Sequence, residues 1–211
     1  MIKVFVVGGG IYYASPIKDV KLVNNLNDAQ VVLFTGGEDI SPELYNEKNE
    51  GYSYVSRRRD NLEREIFESI KPNQLVLGIC RGSQFLCAMN GGKIVQDVTN
   101  HALEGTHQIV LDNSEGMEVT STHHQMMYPF NLSKSCYTLL GSSIPTRSNH
   151  YYGGGINVEN ILKYGEPEIV LFHKKDCPKC LAIQGHPEMM LKTSKFVNWE
   201  NNKLKELLNL K

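Results

Sequence analysis

One short segment constrains the fold of this chain more than any other: a cysteine set between two glycines, in Gly78-Ile79-Cys80-Arg81-Gly82. The apolar run Leu75 to Ile79 directly precedes Cys80 and is typical of a buried strand. Ser83 to Asn90, closed by Gly91-Gly92, is typical of a helix. A sharp strand-to-helix turn strains the backbone and crowds its neighbours, so glycine is needed on both sides. The segment therefore predicts a nucleophile elbow with cysteine as the nucleophile.

The predicted elbow would make Cys80 reactive. Its sulfur would lie at the carboxyl end of a strand and at the N-terminus of a helix, whose partial positive charge favours the thiolate. The amide of Arg81 would be free to face an oxyanion. The alternative is a buried structural thiol, because free cysteine is often buried. The agreement of strand, glycines and helix favours the catalytic interpretation, whereas Cys87 lacks this context and is predicted to be core.

Further apolar runs predict an α/β sheet in one domain spanning residues 1–211. Ile2 to Val7 and Val31 to Phe34 are continuous apolar runs, as expected for buried parallel strands. Arg59 to Ile70 is the clearest helix between them, with Leu62, Ile66 and Ile70 at four-residue spacing on its predicted buried face. Asn198 to Leu210 is predicted as an amphipathic helix. Shorter strands are predicted after residue 105, at His107 to Leu111, Tyr137 to Leu140, Glu168 to His173 and Leu181 to Gln184.

A cysteine nucleophile needs a base, and the base needs an orienting group. The best candidate is Gln184-Gly185-His186-Pro187-Glu188, which follows a predicted strand. Pro187 restricts the chain so that His186 and Glu188, two residues apart, can point the same way. A carboxylate there would hold the imidazole tautomer. Taken alone, the segment is equally compatible with a surface turn.

Together, the two motifs resemble the class I glutamine amidotransferase superfamily. More narrowly, they resemble its γ-glutamyl hydrolase branch, peptidase family C26, which includes γ-glutamyl-γ-aminobutyrate hydrolases. Residues 35–45, Thr-Gly-Gly-Glu-Asp-Ile-Ser-Pro-Glu-Leu-Tyr, are similar to that branch's oxyanion loop, with Thr35 in place of the usual proline. Residues 119–125, Val-Thr-Ser-Thr-His-His-Gln, resemble its substrate loop, with Thr120 in place of asparagine. Tyr151 to Gly155 matches no part of the branch.

The resemblance implies a fold, a triad and a binding site. The implied fold is a mostly parallel, flavodoxin-like central sheet flanked by helices, with an additional small antiparallel β element. The implied triad is Cys80, His186 and Glu188, and the implied oxyanion hole consists of the backbone N–H groups of Gly37 and Arg81. The implied substrate-binding residues are Gln84, Ser121, Thr122, His123 and His124.

Composition excludes several other classes of protein. A net charge of -1 argues against nucleic-acid binding, which needs a basic face. No apolar run approaches the roughly 20 residues that span a bilayer. Five cysteines without regular spacing indicate reduced thiols in a cytoplasmic protein. Cys177-Pro-Lys-Cys180 lacks two further ligands at matching spacing, so a turn between strands is predicted, with no metal and no cofactor.

Two enzymatic functions remain, and both use the same chemistry at Cys80. The first is a free-standing hydrolase that releases glutamate and an amine from a small γ-glutamyl substrate through a thioester. Arg81 after the nucleophile, the Asp-Ile-Ser-Pro segment of residues 39–42 and the adjacent histidines at 123 and 124 favour this function. The second is a glutaminase subunit that supplies ammonia to a separate synthetase. A homodimer or a synthetase partner is compatible with either function. A third possibility, a binding module on an inactive scaffold, is disfavoured by the intact Cys80, His186 and Glu188.

Overall fold

The computed structural model describes residues 1–8, 10–103 and 105–210. Its strands are β1 (Ile2–Val7), β2 (Val20–Leu22), β3 (Val31–Phe34), β4 (Leu75–Ile79), β5 (Lys93–Val95), β6 (Asp97–Val98), β7 (Thr106–Leu111), β8 (Gly116–Thr120), β9 (Met126–Tyr128), β10 (Tyr137–Ser143), β11 (Tyr151–Tyr152), β12 (Glu166–Phe172) and β13 (Cys180–Ile183). Its α-helices are α1 (Arg57–Glu68), α2 (Arg81–Met89), α3 (Val158–Tyr164) and α4 (Lys195–Leu207).

The main sheet has the order β2-β1-β3-β4-β13-β12-β10-β7-β8. Pairing is parallel from β2 to β13 and antiparallel from β13 to β8. The α/β fold predicted from the sequence is confirmed. The antiparallel strands, however, extend the main sheet, because the short connection between β12 and β13 reverses the chain without a crossover helix. That connection contains Cys177 and lies where the turn was predicted.

Helices cover both faces of the parallel half, so its strands are buried on both sides. In β3, Val31 and Leu33 pack on one face with Phe196 and Leu204 of α4. The alternate residues of β3 pack on the other face with Phe85 of α2. Two small two-stranded sheets, β5 with β9 and β6 with β11, lie outside the main sheet.

The ends and the buried face of α1 differ from the prediction. This helix covers residues 57–68 instead of 59–70, and Leu62 is 56% exposed. The buried side chains of α1 are the carboxylates Asp60 and Glu63, which contact arginines described below. The C-terminal helix begins earlier than predicted, because Ser194 accepts a hydrogen bond from the Val197 amide at 3.2 Å and so caps α4.

Within the described residues, no helix has both the length and the apolar composition that crossing a bilayer requires.

Candidate active site

Cys80 lies at the junction of β4 and α2 in a strained conformation. Its φ is 50° and its ψ is -109°, outside the regions that L-residues ordinarily adopt. The flanking glycines make this turn possible. A β-carbon on Gly78 would lie 2.5 Å from the carbonyl oxygen of Gly82, and one on Gly82 would collide with the carbonyl of Phe34. The strand, the strained cysteine and the helix together have the geometry of a nucleophile elbow.

His186 and Glu188 follow β13, the strand beside β4. The Nδ1 atom of His186 lies 2.6 Å from a carboxylate oxygen of Glu188, and the His186 amide donates to Thr120 Oγ1 at 2.7 Å. Burial lowers the His186 pKa, but interactions with Cys80 and Glu188 outweigh burial and raise this pKa to about 10. The structure thus brings Cys80, His186 and Glu188 together, although they come from two different strand ends.

The loop after β3 approaches the same site and is fixed by Arg59. One guanidinium nitrogen of Arg59, Nη2, donates to the carbonyl oxygens of Thr35 and Gly36 at 3.1 and 3.0 Å. Gly37 has φ +140°, and a β-carbon there would collide with the Arg59 guanidinium. Only glycine therefore fits between this loop and α1 at residue 37.

A buried ion-pair network connects that loop to the elbow. Glu63 accepts from Arg59 Nε at 2.8 Å and, through its other oxygen, from Arg81 Nη1. Arg81 also pairs with Asp60 at 2.6 Å, and Asp60 accepts from the Ser41 amide at 3.0 Å. The side chains of Arg81, Asp60 and Glu63 are at most 3% exposed. The two backbone segments expected to form the oxyanion hole are thus joined through charged side chains of α1.

The predicted substrate residues occupy different environments. Gln84 is buried and donates to the Gln125 carbonyl at 3.2 Å. Ser121 is buried, and its hydroxyl donates to the His101 carbonyl at 3.2 Å, whereas Thr122 is exposed.

The adjacent histidines of the predicted substrate loop point to different surroundings. His123 is buried, with Nδ1 2.9 Å from the Gln125 carbonyl oxygen. His124 is half-buried and lies within 3.3 Å of both Asp39 and Asp97. Asp39 follows Gly37 by two residues, so His124 borders the loop expected to contribute to the oxyanion hole.

Tyr13 is a site residue that the sequence did not indicate. It is 7% exposed, and its ring centroid lies 6.0 Å from that of His186. A β-carbon on Gly36 would lie 2.6 Å from the Tyr13 hydroxyl, so the loop glycine makes room for this tyrosine. Burial raises the Tyr13 pKa, so the phenol stays protonated beside the imidazole. A single tyrosine outside any motif carries no sequence signal for this role.

The fold of this chain is that of the class I glutamine amidotransferases. In a fold comparison, 99% of the chain aligns with 94% of a Thermoplasma acidophilum protein named as a candidate GMP synthase component, with a TM-score of 0.61 and 18% identity. A second alignment, with a glutamine amidotransferase of Thermotoga maritima, covers 98% of this chain and 94% of that protein, with a TM-score of 0.50 and 15% identity. At these identities the likeness concerns the fold alone.

The chain belongs to the Peptidase C26 family, whose model matches residues 3–188. The family predicted from the two motifs is therefore confirmed. One relative is YvdE of Lactococcus lactis subsp. lactis, which is named as a candidate glutamine amidotransferase-like protein. It is 27% identical over an alignment of 186 residues that covers 85% of this chain and 74% of that protein. Family and fold together support an amide hydrolase of the glutamine amidotransferase type.

Proposed function

We propose that this protein hydrolyses γ-glutamyl amides through a γ-glutamyl thioester on Cys80. The observation that carries this proposal is the strained cysteine at the start of α2, which interacts with a buried His186–Glu188 pair. A strained nucleophile, a base and an orienting carboxylate are the three parts that covalent acyl transfer requires.

The proposed reaction begins when the Cys80 thiol gives its proton to His186 and the sulfur attacks the γ-carbonyl. The oxyanion accepts hydrogen bonds from the backbone N–H groups of Gly37 and Arg81. The N–H of Arg81 is available because the first N–H groups of a helix have no intrahelical partner. His186 protonates the departing amine and then takes a proton from the water that hydrolyses the thioester. Glu188 holds Nδ1 protonated, so that Nε2 exchanges the protons.

We assign the γ-glutamyl half of the substrate to the surroundings of Gln84 and residues 121–124. Recognition of its α-ammonium and α-carboxylate there should be strict, because leaving either group buried and unpaired is costly. The amine half should be recognised less strictly. The released amine would leave past His124 and Tyr152. The Tyr152 ring stacks on Tyr52, with ring centroids 5.1 Å apart.

The test is glutamate release from a panel of γ-glutamyl amides and from glutamine, measured as kcat/KM for the chain alone. We expect one amine to be preferred over ammonia as the leaving group, and analogues lacking the α-amino or α-carboxylate group to react about 10⁴-fold more slowly. Trapping by a γ-glutamyl analogue with an electrophilic carbon should modify Cys80 and spare the exposed thiol of Cys177. Turnover of the panel by a Cys80→Ala variant would refute the proposal.

A second candidate, the glutaminase subunit of a synthetase, is favoured by an exposed apolar rim beside the site. Ile11 and Tyr12 are 66% and 54% exposed, and they precede Tyr13 in a 3-10 helix that contacts the one containing Glu188. Met189, the next residue, is 58% exposed. If glutamine is the best substrate and reacts only when a synthetase is present, this second function replaces the first.

A further inference from the structure

A cluster of buried histidines and glutamates lies among the antiparallel strands and takes no part in the proton transfers proposed for the hydrolysis. One of its members, His123, belongs to the segment assigned above to the γ-glutamyl half of the substrate. His101 follows β6, His123 follows β8, and Glu168 is in β12. All three side chains are at most 1% exposed. One ligand atom from each of them lies within 4.8 Å of the other two.

The hydrogen bonds of His123 leave a lone pair directed at a carboxylate. Its Nδ1 lies 2.9 Å from the Gln125 carbonyl oxygen, which can only accept, so Nδ1 carries the proton. In a neutral imidazole, Nε2 then has a lone pair, and Nε2 lies 3.5 Å from Glu168 Oε1 without a hydrogen bond. Two acceptors face each other in a buried place, which is unfavourable unless a cation lies between them.

His101 repeats the same arrangement with the opposite nitrogen. Its Nε2 lies 3.0 Å from a carboxylate oxygen of Glu166, which fixes a proton on Nε2. Its Nδ1 faces the same Glu168 oxygen at 3.2 Å, again without hydrogen-bond geometry. A histidine that donates to a carboxylate or carbonyl through one nitrogen and presents the other is the usual arrangement around a protein-bound metal.

The distances from Glu168 Oε1 to the two nitrogens suit a tetrahedral metal ion. Zinc bonds of about 2.0–2.1 Å at tetrahedral angles place neighbouring ligand atoms about 3.3 Å apart. The two nitrogens lie 3.2 and 3.5 Å from Glu168 Oε1. Glu168 Oε2 makes no hydrogen bond within the described residues. His107 Nε2, 3.0 Å from Oε1, would orient the carboxylate from outside the coordination shell.

We propose that His101 Nδ1, His123 Nε2 and the Glu168 carboxylate bind a divalent transition metal of the zinc class. Two imidazoles and a carboxylate are ligands that such an ion prefers, and the metal would displace any proton from the imidazole nitrogens that face it. The ion would neutralise the two buried charges of Glu166 and Glu168. It would also fix the 121–124 segment, which belongs to the proposed substrate site, to strand β12. The ion would take no part in the proton transfers at Cys80, and the proposal departs from the expectation from the sequence that the chain binds no metal.

The test is the metal content of tag-free protein, measured by mass spectrometry after dialysis against metal-free buffer. We expect about one zinc ion per chain in the wild type and in Cys80→Ala. His123→Gln and Glu168→Gln should lose the ion, and Glu166→Gln should weaken binding roughly 10–100-fold. The matched control is His173→Gln, because the His173 ring is hydrogen-bonded to the Thr138 hydroxyl at 3.0 Å and lies outside the cluster.

Two measurements on the wild type keep the proposal testable if a variant fails to fold. Cobalt added to chelator-treated protein should give the intense visible absorption of tetrahedral Co²⁺. Zinc restored at a hundredfold excess over its Kd should raise Tm by roughly 5–10 °C. Absence of metal, of the cobalt spectrum and of the Tm shift would overturn the proposal in favour of protonated histidines. Zinc retained by folded His123→Gln and Glu168→Gln would overturn it in favour of adventitious binding elsewhere.

Discussion

The charged network between α1 and α2 gives the most informative single perturbation, Glu63→Gln. Glu63 is fully buried and lies between Arg59 and Arg81, accepting one hydrogen bond from each. Glutamine has nearly the same shape, so the substitution removes the charge without creating a cavity. The new side-chain amide has an NH₂ group that must face one of the two arginines. Arginine carries only N–H donors, so this contact places donor against donor.

The expected loss of stability follows from burial. Removing one partner of a buried ion pair leaves the other charge uncompensated and typically costs about 3–5 kcal/mol. Asp60 remains beside Arg81, so we expect the lower end of that range, about 3 kcal/mol. The matched control is Glu43→Gln. Glu43 pairs with Arg57 on the surface, where both side chains are more than 60% exposed, and an exposed pair contributes about 0–1 kcal/mol.

The network also makes a kinetic prediction, because Arg59 fixes the loop that contains Gly37. Loss of one oxyanion donor reduces kcat by about 10²–10³-fold. A variant with a loosened loop keeps the donor but positions it less well, so its kcat should fall by about tenfold or more. KM should change little, since the substrate contacts proposed here lie on other segments.

The assays are urea unfolding of both variants and steady-state kinetics on the best γ-glutamyl substrate. If Glu63→Gln destabilised the fold too far for kinetics, Arg59→Lys would test the loop alone, because lysine cannot reproduce the forked hydrogen bonds of arginine. The reasoning fails if Glu63→Gln resembles Glu43→Gln in stability. It also fails if a folded Glu63→Gln or Arg59→Lys variant keeps the wild-type kcat.

Three further predictions concern the site and its support. Cys80→Ala and Cys80→Ser should abolish glutamate release and leave circular dichroism unchanged, whereas Cys177→Ala should keep full activity; residual turnover in clean Cys80→Ala would contradict the assignment. Glu188→Gln should lower kcat less than His186→Ala does, because the carboxylate only orients the imidazole, whereas the imidazole moves the proton. The reverse order of kcat values would mean that these roles are misassigned. Burial, with a smaller contribution from Glu188, raises the Glu200 pKa to about 8. Because this carboxyl has a raised pKa in the folded state, the wild type loses stability as pH rises from about 4.5 to 8. At pH 7 the free energy of unfolding of Glu200→Gln should therefore exceed that of the wild type by on the order of 3 kcal/mol. Equal stability of the two proteins at all pH values would refute this.

The elbow could be predicted from the sequence because its determinants are local. Cys80 needs an apolar strand before it, a helix after it and glycine at both flanking positions, and all of these are adjacent in the chain. The same holds for β1 and β3, whose predicted and observed bounds agree. In each case the pattern of neighbouring residues and the final environment impose the same choice.

The buried face of α1 could not be predicted for the converse reason. Hydrophobic periodicity places Leu62 inside and Asp60 and Glu63 outside, but the structure does the opposite. The carboxylates are buried because Arg59 and Arg81 pair with them, and Arg81 comes from another helix, 18 residues beyond Glu63. A charge that is neutralised across such a separation has no local signature, so the network becomes visible only in three dimensions.

The two adjacent histidines show why a motif does not determine the role of each residue in it. Successive side chains of an extended segment point to opposite sides, so His123 turns into the interior and His124 toward the rim. The motif was assigned to substrate binding as a unit, yet only His124 borders the loop that contains Gly37. His123 instead meets His101 and Glu168, which come from elsewhere in the chain. If the metal proposal holds, losing His123 should remove the ion, and losing His124 should leave the ion in place while altering turnover; equal metal loss in both variants would place the ion outside the buried cluster.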